Sequence, residues 1–79
     1  MERDEIFKKV NAIFVDVFDD DSIVIGEETS AKDIEDWDSL THITLISAVE
    51  EEFGIKFSMK DVLGMKNVGE MVDIIMEDM

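Results

Sequence analysis

The run EDWDSLTHI, residues 35–43, gathers a hydroxyl, an imidazole and carboxylates in one short stretch: Ser39, His42, Asp36 and Asp38. On a helix Ser39 and His42 stand close to one turn apart, so the set contains the groups of a hydrolytic triad. Such chemistry also needs an oxyanion hole and a substrate pocket held rigidly around the serine. A chain of 79 residues builds one small core and no cleft between lobes, which argues against a hydrolase. The plainer alternative is that Ser39 merely starts a helix behind a capping Asp38. His42 is then a residue of the helix surface or of a groove edge.

Other chemistry is excluded more simply. Asp19, Asp20 and Asp21 suggest calcium, but Ile23, Val24 and Ile25 fill positions where an EF-hand loop needs oxygen ligands and its glycine. The run reads as solvated charge with weak, nonspecific affinity for divalent ions, and no metal site is expected. With no Cys and one His, the chain has neither a disulfide framework nor the ligands of a zinc site. Twenty-one acidic residues against 7 basic ones give a net charge of -14, the wrong sign for nucleic acid. Proteins with basic patches are the natural partners. The first residues are charged, unlike a signal peptide, and no apolar run approaches the roughly 18 residues of a membrane span. A monomeric, cytoplasmic protein is expected. Hydrophobic residues at 46% and charged ones at 35% describe a globular chain, read as a single domain over residues 1–79.

The elements that must position Ser39 follow from helical periodicity. Ile6, Phe7, Val10, Ile13, Phe14, Val17 and Phe18 form one stripe on a first helix, which ends at the three aspartates because negative charge opposes the dipole at a C-terminus. A long loop follows to about Trp37, pinned by Ile23, Ile25, Ile34 and Trp37, with a short turn near residues 31–34. The SIVIG run has no second strand to pair with. Asp38 caps a second helix, with Ser39 in its first turn, where free backbone N–H groups point outward. Ile43, Leu45, Ile46, Val49 and Phe53 share its apolar face, Leu40 lies off it beside Ser39, and Gly54 stops the helix. Ile55 and Phe57 return to the core. Ser58 and Asp61 form a capping box for a short helix through Leu63, and Asn67 with Glu70 caps a last helix whose stripe is Val68, Met71, Val72, Ile75, Met76 and Met79. The fold class is all-α: a small four-helix bundle of three longer helices and a short one.

Over essentially its whole length the chain resembles the acyl carrier protein family. The resemblance rests on the helix order, on Asp38-Ser39-Leu40 after a long first loop, on Glu50-Glu51-Glu52-Phe53-Gly54-Ile55 closing the second helix, and on Val68-Gly69-Glu70-Met71-Val72 opening the last. It implies that Ser39 is the attachment point of 4'-phosphopantetheine, with Asp38 and Leu40 beside it, transferred from coenzyme A by a phosphopantetheinyl transferase. The arm's terminal thiol then carries acyl groups as thioesters, in fatty acid, polyketide or other lipid metabolism, and the protein is itself no enzyme. Basic docking patches on acyl- or malonyl-transferases, synthases or ligases would read the second helix through Leu40, Thr41, Thr44, Ser47, Glu50 and Glu51. An acidic helical adaptor without a prosthetic group is the competing reading. A phosphodiester on Ser39 would meet free N–H donors and the positive end of the helix dipole, an environment worth roughly 0.3 to 1 kcal/mol.

Two further expectations concern cargo and pathway. Burial of about six methylenes between the helices would recover roughly 5 kcal/mol, much of it offset by opening a cavity, so insertion and ejection of an acyl chain are expected to be close to balanced, with a wall drawn from Phe7, Ile43, Ile46, Val49, Phe53, Ile55, Phe57, Met71 and Ile75. Carriers of fatty acid synthesis usually place acids where this chain has Thr41 and Thr44, and a methionine where it has Ser47. That departure suggests a specialised pathway over the housekeeping fatty acid synthase.

Overall fold

The computed structural model describes residues 2–78 and is all-helical, with α1 (Arg3–Phe18), α2 (Ser39–Phe53), α3 (Met59–Gly64) and α4 (Val68–Asp78). Met79, placed on the last stripe by periodicity, lies outside the described residues.

α1 buries Ile6, Val10 and Phe14 completely and packs against both α2 and α4. It ends where the aspartates begin. Asp19 adopts a left-handed conformation (φ 51°), which Asp tolerates better than most residues, and the N–H of Asp20 bonds to the Val15 carbonyl at 3.2 Å. The Asp20 carboxylate accepts from the Ser22 hydroxyl at 2.6 Å and from its N–H at 2.9 Å, which hold it below the usual carboxylate range.

The loop from Asp19 to Asp38 is ordered by specific hydrogen bonds as well as by its apolar anchors. Asn11 on α1 donates to the Ile23 carbonyl at 3.2 Å and accepts from the Ile25 N–H at 2.7 Å, so residues 23–25 spend their backbone groups on a side chain and form no strand. Further on, the Thr29 and Glu27 carbonyls accept from the N–H groups of Val68 (2.8 Å) and Gly69 (2.9 Å), docking the loop on the first turn of α4. A Cβ at position 69 would lie 2.7 Å from the Glu27 carbonyl oxygen, so this approach requires glycine. Arg3 closes the same corner: its guanidinium reaches Glu27 at 2.6 Å and Asp73 at 2.7 Å, and the Arg3 hydrogen bond holds the Glu27 carboxyl below its usual range.

α2 contributes Leu45, Ile46 and Val49 to the core, and ends at Gly54 in the left-handed region (φ 64°). Ile43 departs from expectation and is 61% exposed. At 3.6 residues per turn it lies roughly 110° from the centre of the face defined by residues 45, 46, 49 and 53, too far round to reach the core. The same geometry puts His42 at the centre of that face, and His42 is half-buried. α3 carries the expected Ser58–Asp61 capping box, and Asn67 accepts from the Glu70 N–H at 2.9 Å at the start of α4. Met76 sits at the edge of its stripe, 40% exposed.

Candidate functional site

Ser39 is the first residue of α2, and Asp38 shapes everything around it. One Asp38 carboxylate oxygen accepts from the N–H groups of Leu40 (3.0 Å) and Thr41 (2.9 Å), and the Asp38 carbonyl accepts from the His42 N–H at 2.8 Å. In return the Asp38 N–H donates to the Thr41 hydroxyl at 2.7 Å, completing a capping box in which threonine replaces the usual acid, and that hydroxyl donates to the Asp36 carbonyl at 2.9 Å. These bonds, the one from the Thr41 N–H foremost, hold the Asp38 carboxyl below the usual carboxylate range. The free N–H donors expected around Ser39 are therefore largely taken. A phosphate at this position would also face the Asp38 charge, so the helix start orients an attached group without gripping it.

The Ser39 side chain is exposed, and its hydroxyl has no hydrogen-bond partner among the described residues. His42 does not supply one. Its Nδ1 accepts from the Trp37 indole N–H at 3.0 Å and its Nε2 faces the Val62 carbonyl at 3.3 Å, so the partners assign the proton to Nε2 and leave neither nitrogen for Ser39. The triad suggested by the sequence is not assembled. His42 lies at the edge of a groove, one of the two positions expected for it, but is no helix-surface residue.

That groove, about 310 Å³, runs between the start of α2 and the end of α3. Trp37, Asp38, Ser39 and His42 line one side, and Val62, Leu63, Met65 and Lys66 the other. Trp37 was legible as an anchor; the α3 side was not, because it arises from packing between segments distant in sequence. None of the residues expected to form an interior wall lines this groove. Ile46, Val49, Ile55, Met71 and Ile75 are closed on one another in the core, at most 9% exposed, and Ile43 faces outward.

On the outer face of α2, Leu40 is 77% exposed, and Thr44, Ser47 and Glu51 are exposed with it. Thr41 is half-buried and occupied by the cap, and Glu50 is half-buried, its carboxylate accepting from the Phe57 N–H at 2.7 Å. Both thus hold local structure as well as lying near the rim. Met59 and Leu63 on α3 are also strongly exposed, at 73% and 79%, and were not singled out by the sequence pattern. Among the described residues no cluster of three or more His, Cys, Asp or Glu could hold a metal ion, and no helix is long and apolar enough to cross a membrane.

The bundle thus offers an exposed serine at a capped helix start beside an apolar groove, and among the described residues His42 is engaged with Trp37 and Val62 and not with that serine. Comparison with known proteins gives the family. A family model described as phosphopantetheine attachment site matches residues 8–75. The acyl carrier protein of Thermosynechococcus vestitus is 37% identical over 76 residues, covering 95% of this chain and 93% of that one, and the acyl carrier protein of Petrotoga mobilis is 34% identical over 77 residues, covering 98% and 91%. The solution structure of the holo acyl carrier protein from Geobacter metallireducens superposes with a TM-score of 0.86 at 44% identity, covering 91% of this chain and 83% of that chain. The chain belongs to the acyl carrier protein family, whose covalent prosthetic group is 4'-phosphopantetheine.

Proposed function

We propose that Ser39 is the residue to which 4'-phosphopantetheine is attached, and that residues 1–79 act as one carrier domain passing acyl groups, as thioesters of the arm's thiol, between partner enzymes. The observation that carries this is the free, exposed Ser39 hydroxyl at the Asp38 cap, inside the matched segment. In the modification the serine oxygen gives up its proton and bonds to the phosphorus of coenzyme A that bears pantetheine. The bond to the adenosine-bearing phosphate breaks, and adenosine 3',5'-bisphosphate leaves. A phosphopantetheinyl transferase must supply the base, since His42 is engaged elsewhere. The chain supplies the nucleophile and a docking surface and no catalysis of its own.

Partners of this reading are that transferase and acyl- or malonyl-transferases, synthases or ligases with basic patches in the cytoplasm. The exposed rim of α2 carries Thr44 and Ser47 where an acid and a methionine are usual, which supports a specialised pathway. Intact mass after incubation with coenzyme A and an active transferase tests the attachment. Wild type should gain one phosphopantetheine and Ser39→Ala none, with helicity unchanged. A gain by the alanine variant refutes it.

A further inference from the structure

The net charge of -14 is unevenly placed. Residues 54–67, which hold α3, contain Lys56, Lys60 and Lys66 against the single acid Asp61. All three lysines are exposed, and among the described residues the ion pairs are made by Arg3 and Lys9 and by none of these three. Asp61 is spent locally: it is half-buried, and its carboxylate accepts from the Ser58 N–H at 3.3 Å in the capping box. Lys56 follows closely on the acidic end of α2, which leaves Lys60 and Lys66 as the cations of the α3 side.

α3 also carries apolar surface that the core does not use. It buries none of its residues, and Met59 and Leu63 are its most exposed apolar side chains. At about 100° per residue, Met59, Leu63 and Lys60 fall within one arc of about 100°, and the half-buried Asp61 and Val62 fall outside it. Leu63 and Lys66 line the groove that also holds Ser39, so whatever covers this face stands beside the serine. Asp38 on the opposite bank is occupied by the N–H groups of Leu40 and Thr41. An apolar pair edged by unpaired cations is complementary to an apolar patch edged by carboxylates. A nucleic acid or an anionic lipid surface is extended enough to face the whole molecule and its charge of -14, whereas a protein surface can be shaped to meet α3 alone.

We infer that the α3 face of Met59, Lys60, Leu63 and Lys66 is a docking surface of its own, which fits a partner protein presenting an apolar patch edged by carboxylates. The inference rests on the carrier reading and deepens it, since it names the kind of surface that a partner presents at the Ser39 groove. The acids that suit a basic patch, Glu51 and Glu52, stand at the other end of α2, so the two helices offer a partner charges of opposite sign. A surface that is basic throughout meets Lys60 and Lys66 and is repelled there, which separates the partners of this carrier from enzymes that dock through cations alone.

The test titrates two short helical peptides into the unmodified, isotope-labelled full chain at physiological salt and follows its backbone amide resonances. Both peptides carry leucine along one face; one has glutamate at the remaining positions and the other lysine. The glutamate peptide should shift the amides of residues 59–66 saturably, and the lysine peptide should bind there at least about fivefold more weakly. Lys60→Glu combined with Lys66→Glu should weaken the glutamate peptide at least about fivefold, and Leu63→Ser likewise, whereas Lys8→Glu on α1 should leave it within about twofold. Vesicles of phosphatidylglycerol should shift none of these amides. No saturable shift with the glutamate peptide, equal binding of the two peptides, or binding untouched by the α3 variants would overturn the docking surface. Shifts of the same amides by vesicles would overturn it in favour of a lipid surface. If the double variant does not fold, Leu63→Ser and the peptide pair on wild type decide. The chain carries no arm in this experiment, so its outcome is separate from the mass gain that tests Ser39.

Discussion

Asp38 and Thr41 cap the start of α2 reciprocally: the Thr41 N–H reaches the Asp38 carboxylate at 2.9 Å, and the Asp38 N–H reaches the Thr41 hydroxyl at 2.7 Å. Ser39 is held between them with its own hydroxyl uncommitted, so the serine's position is set by its neighbours and not by its own bonds.

The cap predicts a pH signature. Hydrogen bonds hold the folded Asp38 carboxyl below its unfolded value of about 3.9, so its stabilisation is fully present above that value and is lost as pH falls through the folded one. The same sign applies to Asp20, bonded by Ser22, and Glu27, bonded by Arg3. The Tm difference between wild type and Asp38→Asn should be constant from pH 7 to about 5 and should close below about pH 4. A difference unchanged at pH 3 would contradict the role given to the charge. Asp38→Ala, which loses the cap altogether, should lower Tm by about 5 °C at neutral pH.

Gly69→Ala reverses an ordinary trend. Alanine is the better helix former by about 1 kcal/mol, yet its Cβ would meet the Glu27 carbonyl oxygen at 2.7 Å. The substitution should lower the urea midpoint and weaken the docking of the loop on α4. A neutral or stabilising outcome would show that this approach is not required.

The charge of -14 makes self-repulsion a term in stability. Raising monovalent salt from 0.01 to 0.1 M shortens the Debye length from about 30 to about 10 Å, so Tm should climb over that interval. Magnesium or calcium should raise it further than sodium at equal ionic strength. A flat response would remove repulsion from the account.

On the α2 rim, the triple change Thr41→Asp, Thr44→Glu, Ser47→Met should raise kcat/KM for loading of the holo protein by a malonyl transferase of housekeeping fatty acid synthesis. Added charge speeds encounter with a basic patch and an apolar side chain strengthens the docked complex. An aspartate at 41 can still accept the Asp38 N–H, so the cap survives. Loading of the unaltered protein as fast as that enzyme's own carrier would place this chain in the housekeeping role.

Features encoded within a few residues were legible in the sequence: the stripe of α1, its end at Asp19, the Asp38 cap, the Ser58–Asp61 box and the stop at Gly54. Features that need contact between distant segments were not. Nothing local to Asn11 announces that it pins Ile23 and Ile25, and nothing local to Gly69 announces Glu27 against it. Ile43 was misjudged because residue type was weighed above angular position, whereas for His42 the groove edge was one of the two expected positions and the one it occupies. Isoleucine was assigned inward, whereas the helix turns Ile43 to solvent and sets His42 against Trp37.

Peptide-level mass spectrometry of the holo protein tests the central claim most directly, because five serines compete for the arm. Ser22 donates to Asp20, Ser30 lies 3.5 Å from Asp33, Ser58 accepts from the Asp61 N–H, and Ser47 is exposed in the middle of α2 with no cap beside it. The prediction is phosphopantetheine on the peptide containing Ser39, with fragment ions placing it on that residue alone. Phosphopantetheine on Ser22, Ser30, Ser47 or Ser58 would contradict the assignment of the site.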